Sequence, residues 1–191
     1  MSETSRLGAA FALVVDIHGD QKRKGNGVPY LTHLMAVSAL VGEFGGDEEL
    51  MIAGLLHDAL EDQPHRIDAA QIAAQFGLRV AHTVIGCSDC NTHPKPAWEE
   101  RKQAFLGRLA SACVDVRFVA AADKLHNTRS FVSAVRERGD AAWSAYNAPK
   151  ERQCWYLRGC VDALRCGWEH PIVNELELVV AELERLCGVV R

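Results

Sequence analysis

Apolar residues recur along this chain at spacings of three and four, the period of a helix lying on a core, and strand-like alternation is nearly absent. The pattern predicts a first helix from about Ser5 to His18, halted by the polar loop GDQKRKGNG. Pro29 suits the first turn of a second helix that carries Tyr30, His33, Met35 and Leu40 and ends near Gly45-Gly46. Asp47 is a good N-cap for a third, running through Met51, Leu55 and His57 and closed by Pro64. Asp68 caps a fourth, with Phe76-Gly77 as its glycine stop. A fifth, at about 79–89, leads into the proline-bearing loop CNTHPKPAW. Further helices are expected at about 98–111, 115–138, 140–146, 149–166 and 172–188, with Gly139 and Gly167 as punctuation. Neither an internal repeat nor a long linker divides the series, so the expectation is all-α, one helical bundle spanning 1–191.

Composition narrows the partners more than the fold. A net charge of −4 gives no whole-protein basic field, which argues against nucleic acid or an anionic membrane as partner; any anionic ligand must be held by local cations. Seven cysteines, an odd number spread through helical segments, favour free thiols in a reducing cytoplasm. Cys87-Ser-Asp-Cys90 lacks a second pair for structural zinc and sits in no thioredoxin-like pattern. No stretch approaches the ~20 apolar residues of a membrane span, and the opening residues do not read as a signal peptide. The chain is expected to be soluble and cytoplasmic; oligomeric state leaves no mark in it.

Charged and imidazole side chains appear where a plain helix would place core. In LLHDALED, His57 and Asp58 directly follow Leu55-Leu56. On a continuous helix His57 and Glu61 share one stripe, Asp58 and Asp62 the next, an arc of roughly 140° that would face one cavity. In VAAADKLHN, Asp123 follows Val119 and three alanines, and a carboxylate buried there needs a partner or a metal. In PYLTHL, His33 lies within an apolar helix face. His33, His57, Asp58 and Asp123 make an N₂O₂ set suited to Mn²⁺, Fe²⁺, Zn²⁺ or Mg²⁺, with positions left for water as in a catalytic site.

RKGNGVPYLTHL, LLHDALED, WEERKQAFL and ADKLHN together resemble the HD hydrolase domain of RelA/SpoT proteins, over roughly residues 5 to 165. The length is similar to that of the stand-alone small alarmone hydrolases, the metazoan SpoT homologue among them. The resemblance implies an all-α HD-type phosphohydrolase fold, one metal ion, usually Mn²⁺, and removal of the 3′-pyrophosphate from (p)ppGpp. It places the metal ligands on His33, His57, Asp58 and Asp123, the catalytic ED pair on Glu61 and Asp62, and the asparagine after the last ligand on Asn127. Glu61 would move a proton to or from the reacting oxygens, Asp62 would orient water or Glu61, and Asn127 would hold water or ribose. Arg23 and Lys24 resemble the family's basic motif and Ser88-Asp89 its short Thr/Ser-Asp motif, while Lys95 is a candidate substrate contact in a loop where the equivalent of the family's lysine stays open. Lys150, Arg152 and Tyr156 resemble a substrate-contacting group, with Tyr156 placed either to stack on the base or to fill core. Lys95 and Arg101 fall in a loop and helix of looser match.

Within this enzyme class three substrates stay open, a guanine alarmone (ppGpp), an adenine one (ppApp) and NADPH losing its 2′-phosphate; no motif fixes the purine. A second class is a non-catalytic HD module that binds a nucleotide or neutralises an alarmone-producing toxin. Retention of all four ligands together with Glu61 favours the enzyme.

Overall fold

The computed structural model describes residues 5–89 and 94–189. Within them the chain forms ten α-helices: α1 Arg6–His18, α2 Leu31–Glu43, α3 Glu48–Leu56, α4 Ala59–Asp62, α5 Ala69–Phe76, α6 Leu78–Cys87, α7 Trp98–Leu109, α8 Val114–Arg138, α9 Lys150–Leu164 and α10 Pro171–Cys187. A 3₁₀ helix, Gly139–Ala145, links α8 to α9, and among the described residues the only strand-like contact is an isolated bridge between Lys22 and Pro29. The expected α-helix at 140–146 is thus a tighter 3₁₀ segment, and Pro29 pairs in that bridge ahead of α2 instead of opening it.

Local chemistry accounts for several boundaries. The Ser5 hydroxyl accepts from Gly8 N, and Asp47 accepts from Leu50 N at 3.0 Å. Asp68 and Gln71 form a reciprocal capping box at the start of α5, and Gly77, with φ of 95°, makes the abrupt turn into α6. Pro171 opens α10 and left-handed Gly188 closes it.

One hydrophobic cluster collects residues from nearly every helix, including Val14, Leu34, Leu55, Phe76, Val84, Phe105, Leu125, Val161 and Leu176. α8 runs through its middle, packing on α2, α3, α6, α9 and α10. Its run Val119-Ala120-Ala121-Ala122 is fully enclosed, and the small side chains let neighbouring helices approach closely. Gly54 does the same for α3: a Cβ there would lie 3.1 Å from the Ser38 Cα on α2.

The third helix departs from expectation. It stops at Leu56, and His57-Asp58 form a turn before α4 resumes. The His57 Nδ1 takes the Gly54 carbonyl at 2.8 Å, the same carbonyl that Asp58 N–H would use in an unbroken helix. The side chain outcompetes the backbone, and the chain breaks there. The continuous-stripe geometry predicted for His57, Asp58, Glu61 and Asp62 is therefore corrected: the pair sits on a seam between two short helices.

Candidate metal centre and active site

α2, the α3–α4 seam and the middle of α8 bring His33, His57, Asp58 and Asp123 together. His33 Nε2 lies 3.3 Å from Asp123 Oδ1 and 3.6 Å from Asp58 Oδ2. His57 Nε2 lies 3.0 Å from Asp58 Oδ2 and 3.6 Å from Asp123 Oδ1. Ligand atoms of His33, His57 and Asp58 all fall within 4.8 Å of one another, and Asp123 joins through its contacts to both imidazoles. His33, His57 and Asp123 are buried and Asp58 half-buried.

The donor chemistry fits a cation. A carbonyl can only accept, so His57 keeps a proton on Nδ1, facing Gly54 O, and Nε2 is the nitrogen left to ligate. That Nε2 is buried and, despite its closeness to Asp58, has no hydrogen-bond geometry to any group. A lone pair aimed at two carboxylates is repulsive unless positive charge stands between them. Titration shows the same demand for positive charge at this point: with no metal between them, the two carboxylates favour a second proton on the ring. Burial alone would lower the His57 pKa, yet Asp58 and Asp123 hold it well above the usual imidazole value. Burial would raise both carboxylates, yet His57 and His33 hold Asp58 well below the ordinary range, and Lys124 with the two imidazoles does so for Asp123.

Around this centre a set of outer contacts holds the candidate ligands and their neighbours in place. Tyr30 donates its hydroxyl to Asp58 Oδ2. Asn127, one turn after Asp123, donates Nδ2 to Asp123 Oδ1, while Lys124 pairs with Oδ2. Asn127 in turn accepts from Arg23 at 3.0 Å. Glu61 Oε1 meets Lys95 Nζ at 3.0 Å and its Oε2 accepts from Asp89 N. Asp62 accepts from Gln21 Nε2 at 2.6 Å, and burial together with neighbouring Asp58 raises its carboxyl to about 6.

Two cavities adjoin the centre and share Tyr30, Asp62 and Asn127. The first, of 190 Å³, is walled by the carboxylates Asp58, Glu61, Asp62, Asp89 and Asp123 and by the ammonium groups of Lys102 and Lys124. The second, of 280 Å³, takes in Gln21, Lys22, Arg23, Lys24, Phe131 and Tyr146. A larger hollow of 510 Å³ between α6, α7 and α8 shares Asp89, but its exposed lining is chiefly apolar and includes none of the four candidate ligands.

An HD-domain family model matches residues 10–146. The chain belongs to the HD-domain family. Among curated relatives, a probable guanosine-3′,5′-bis(diphosphate) 3′-pyrophosphohydrolase from Synechocystis is 36% identical over 68% of this chain and 17% of its own length. The enzyme of that name from Haemophilus influenzae is 33% identical over 85% of this chain and 22% of its own. This HD domain thus spans about a fifth of the curated relatives it matches. Among solved structures, a metazoan ortholog of SpoT, described as hydrolysing ppGpp, superposes with a TM-score of 0.75 at 23% identity over 100% of this chain and 99% of that one. A Listeria monocytogenes structure gives 0.72 at 29% identity, over 82% and 99%. The all-helical fold read from the sequence is the fold of these structures.

Not every expected contact reaches the cavities of this HD domain. Lys150 pairs with Asp140 and Arg152 with Glu99, at the outer start of α9, and neither lines the centre. Tyr156 does line the smaller cavity, but only 5% of it is exposed and the Lys102 and Lys124 ammonium groups lie over its ring, so of its two expected placements it takes the core one. Arg101 and Lys102 both pair with buried Asp89. Cys87 lines the same cavity with its thiol pushed up by burial; Cys90 lies outside the described residues. Sequence reasoning passed over Lys102, Lys124, Gln21 and His126. All four stand in or beside the motifs it quoted, yet their roles depend on side-chain direction, which spacing does not encode.

Proposed function

We propose that this HD domain is a metal-dependent 3′-pyrophosphohydrolase of ppGpp-like alarmones, with His33, His57, Asp58 and Asp123 as the ligands of one divalent ion, Mn²⁺ by preference. The observation that carries the reading is the buried Nε2 of His57, without a satisfied hydrogen bond and aimed with His33 at two ionised carboxylates beside an acid-lined cavity. Bound there, a divalent ion would lower the pKa of water and offset charge on phosphoryl oxygens.

The chain's own residues supply the rest. Arg23 and Lys24 border the larger cavity and offer cations to the nucleotide's phosphates; Asn127, held between Arg23 and Asp123, is placed for ribose. Glu61, anchored by Lys95 and Asp89 N, is the acid–base group. Water adds to the phosphorus attached to the 3′ oxygen, the P–O3′ bond breaks, and the 3′ oxygen takes a proton as pyrophosphate departs. Asp62, with its carboxyl near 6, orients this exchange. Net charge of −4 and the lack, among the described residues, of any helix fit to cross a membrane support a small-molecule substrate and action in the cytoplasm.

The test is release of pyrophosphate or phosphate from ppGpp, ppApp and NADPH in parallel, with Mn²⁺. Pyrophosphate from either tetraphosphate supports the proposal and ranks guanine against adenine. Phosphate from NADPH alone makes the protein a 2′-phosphatase. Binding without turnover of any of the three favours a non-catalytic module.

A further inference from the structure

Each imidazole of the candidate centre points Nε2 inward, so each needs an acceptor behind it for the Nδ1 proton. For His57 that acceptor is the Gly54 carbonyl. Behind His33, among the described residues, the partner is neither a carbonyl nor a carboxylate. Its Nδ1 faces the Nδ1 of His126 at 2.8 Å, with ring centroids 4.9 Å apart.

Two ring nitrogens at that distance share one proton, one donating and one accepting. His33 Nε2 is directed at Asp58 and Asp123 and must keep its lone pair free to ligate, so its proton belongs on Nδ1. His126 is then the acceptor, bare on Nδ1 and protonated on Nε2. The arrangement follows from α8: Asp123 and His126, three apart, lie on one face, so a single helix carries a ligand and the group that orients a ligand from α2.

Resting on the metal reading above, we propose that His126 is a positioning residue, which locks His33 in its ligating tautomer and thereby sets the affinity of the centre for its cation. The choice of group matters. A carboxylate in this place would add a third anion to a centre that already holds Asp58 and Asp123; a neutral imidazole orients His33 without adding charge.

The experiment is calorimetric titration of Mn²⁺ into the metal-stripped full chain, for wild type, His33→Ala, His126→Phe and His126→Asn, with the thermal midpoint of each metal-free protein measured alongside. Phe keeps a ring but removes the acceptor; Asn restores one. Wild type should bind one ion and His33→Ala should lose it. His126→Phe should bind roughly 10–100-fold more weakly, and His126→Asn should recover most of that loss. Long-range proton–nitrogen spectra should show a bare Nδ1 on His126. Wild-type affinity in His126→Phe, with His33→Ala still defective, overturns the positioning role and leaves the metal reading standing. Equal weakness in Phe and Asn, or a protonated Nδ1, also overturns it. No binding by wild type overturns both.

Discussion

Glu61 and Asp123 stand in the same cavity and are expected to fail in different ways when altered. Asp123 faces both ligand imidazoles, so Asp123→Ala should abolish Mn²⁺ binding and turnover together. Glu61 touches Lys95 and Asp89 N instead, so Glu61→Gln should bind Mn²⁺ as wild type does while kcat falls by about 10²–10⁴. Near-normal kcat would remove Glu61 from proton transfer. Asp62 offers a test without metal. Its folded carboxyl titrates near 6 against an ordinary 3.8, so the metal-free protein retains a proton that the unfolded chain releases. The associated stability is present in full below 3.8 and lost as the pH rises through about 6. In EDTA, Asp62→Asn should therefore be more stable than wild type at pH 8, by at most about 3 kcal/mol, with the difference fading towards pH 4. Urea unfolding at the two pH values measures it, and equal stabilities at pH 8 would contradict the assignment. The four candidate ligand positions stood out because each put a polar group against apolar helix sequence. His126 and Lys124, inside the quoted ADKLHN, were not, because their meaning lies in a ring orientation and an ion pair that exist only after folding.

Helix ends could be read to within a residue or two where the cause is local, as at Asp47, the Asp68–Gln71 capping box and Pro171. The break at His57-Asp58 could not, since an imidazole capturing the Gly54 carbonyl leaves no trace in spacing. Nor could the fate of Lys150 and Arg152. A basic run at a helix start gives no sign of Asp140 or Glu99, which neutralise it. Gly54 joins both themes, as the acceptor for His57 and the point where α3 touches α2. In Gly54→Ala the added Cβ meets the Ser38 backbone, at 3.1 and 3.3 Å, which cannot rotate aside. Overpacking of about 1–3 kcal/mol should outweigh the gain in helix propensity of about 1 kcal/mol. Denaturant unfolding should show a net loss, and Mn²⁺ affinity should drop as the helices bearing His33 and His57 separate. A gain in stability would mean that α2 yields.

The family match ends at residue 146, but the folded unit does not. α9 and α10 lie beyond it and bury Cys160, Val161, Leu164, Ile172, Leu176, Val180 and Leu183 almost completely, much of this against α8. Because α8 also carries Asp123, the candidate centre depends on helices outside the matched region. A chain cut after 146 should lose near-UV circular dichroism and Mn²⁺ binding even though every candidate ligand remains. Retention of both would show that residues 1–146 fold alone.

The segment carrying Lys22, Arg23 and Lys24 offers three consecutive bonds of the kind trypsin cuts, on an open surface. Those bonds are tied down, however: Arg23 N binds Val28 O in the bridge, Gly27 N binds Arg23 O in the turn, and the carbonyls of Lys24 and Gly25 are held by Tyr146 and Arg138 from the far half of the chain. A protease cleft takes a strand whose backbone is free, so these three bonds should survive digestion for as long as the 3₁₀ segment stays docked. In Tyr146→Ala the first nick should fall there, making limited proteolysis a gauge of whether the two halves are latched.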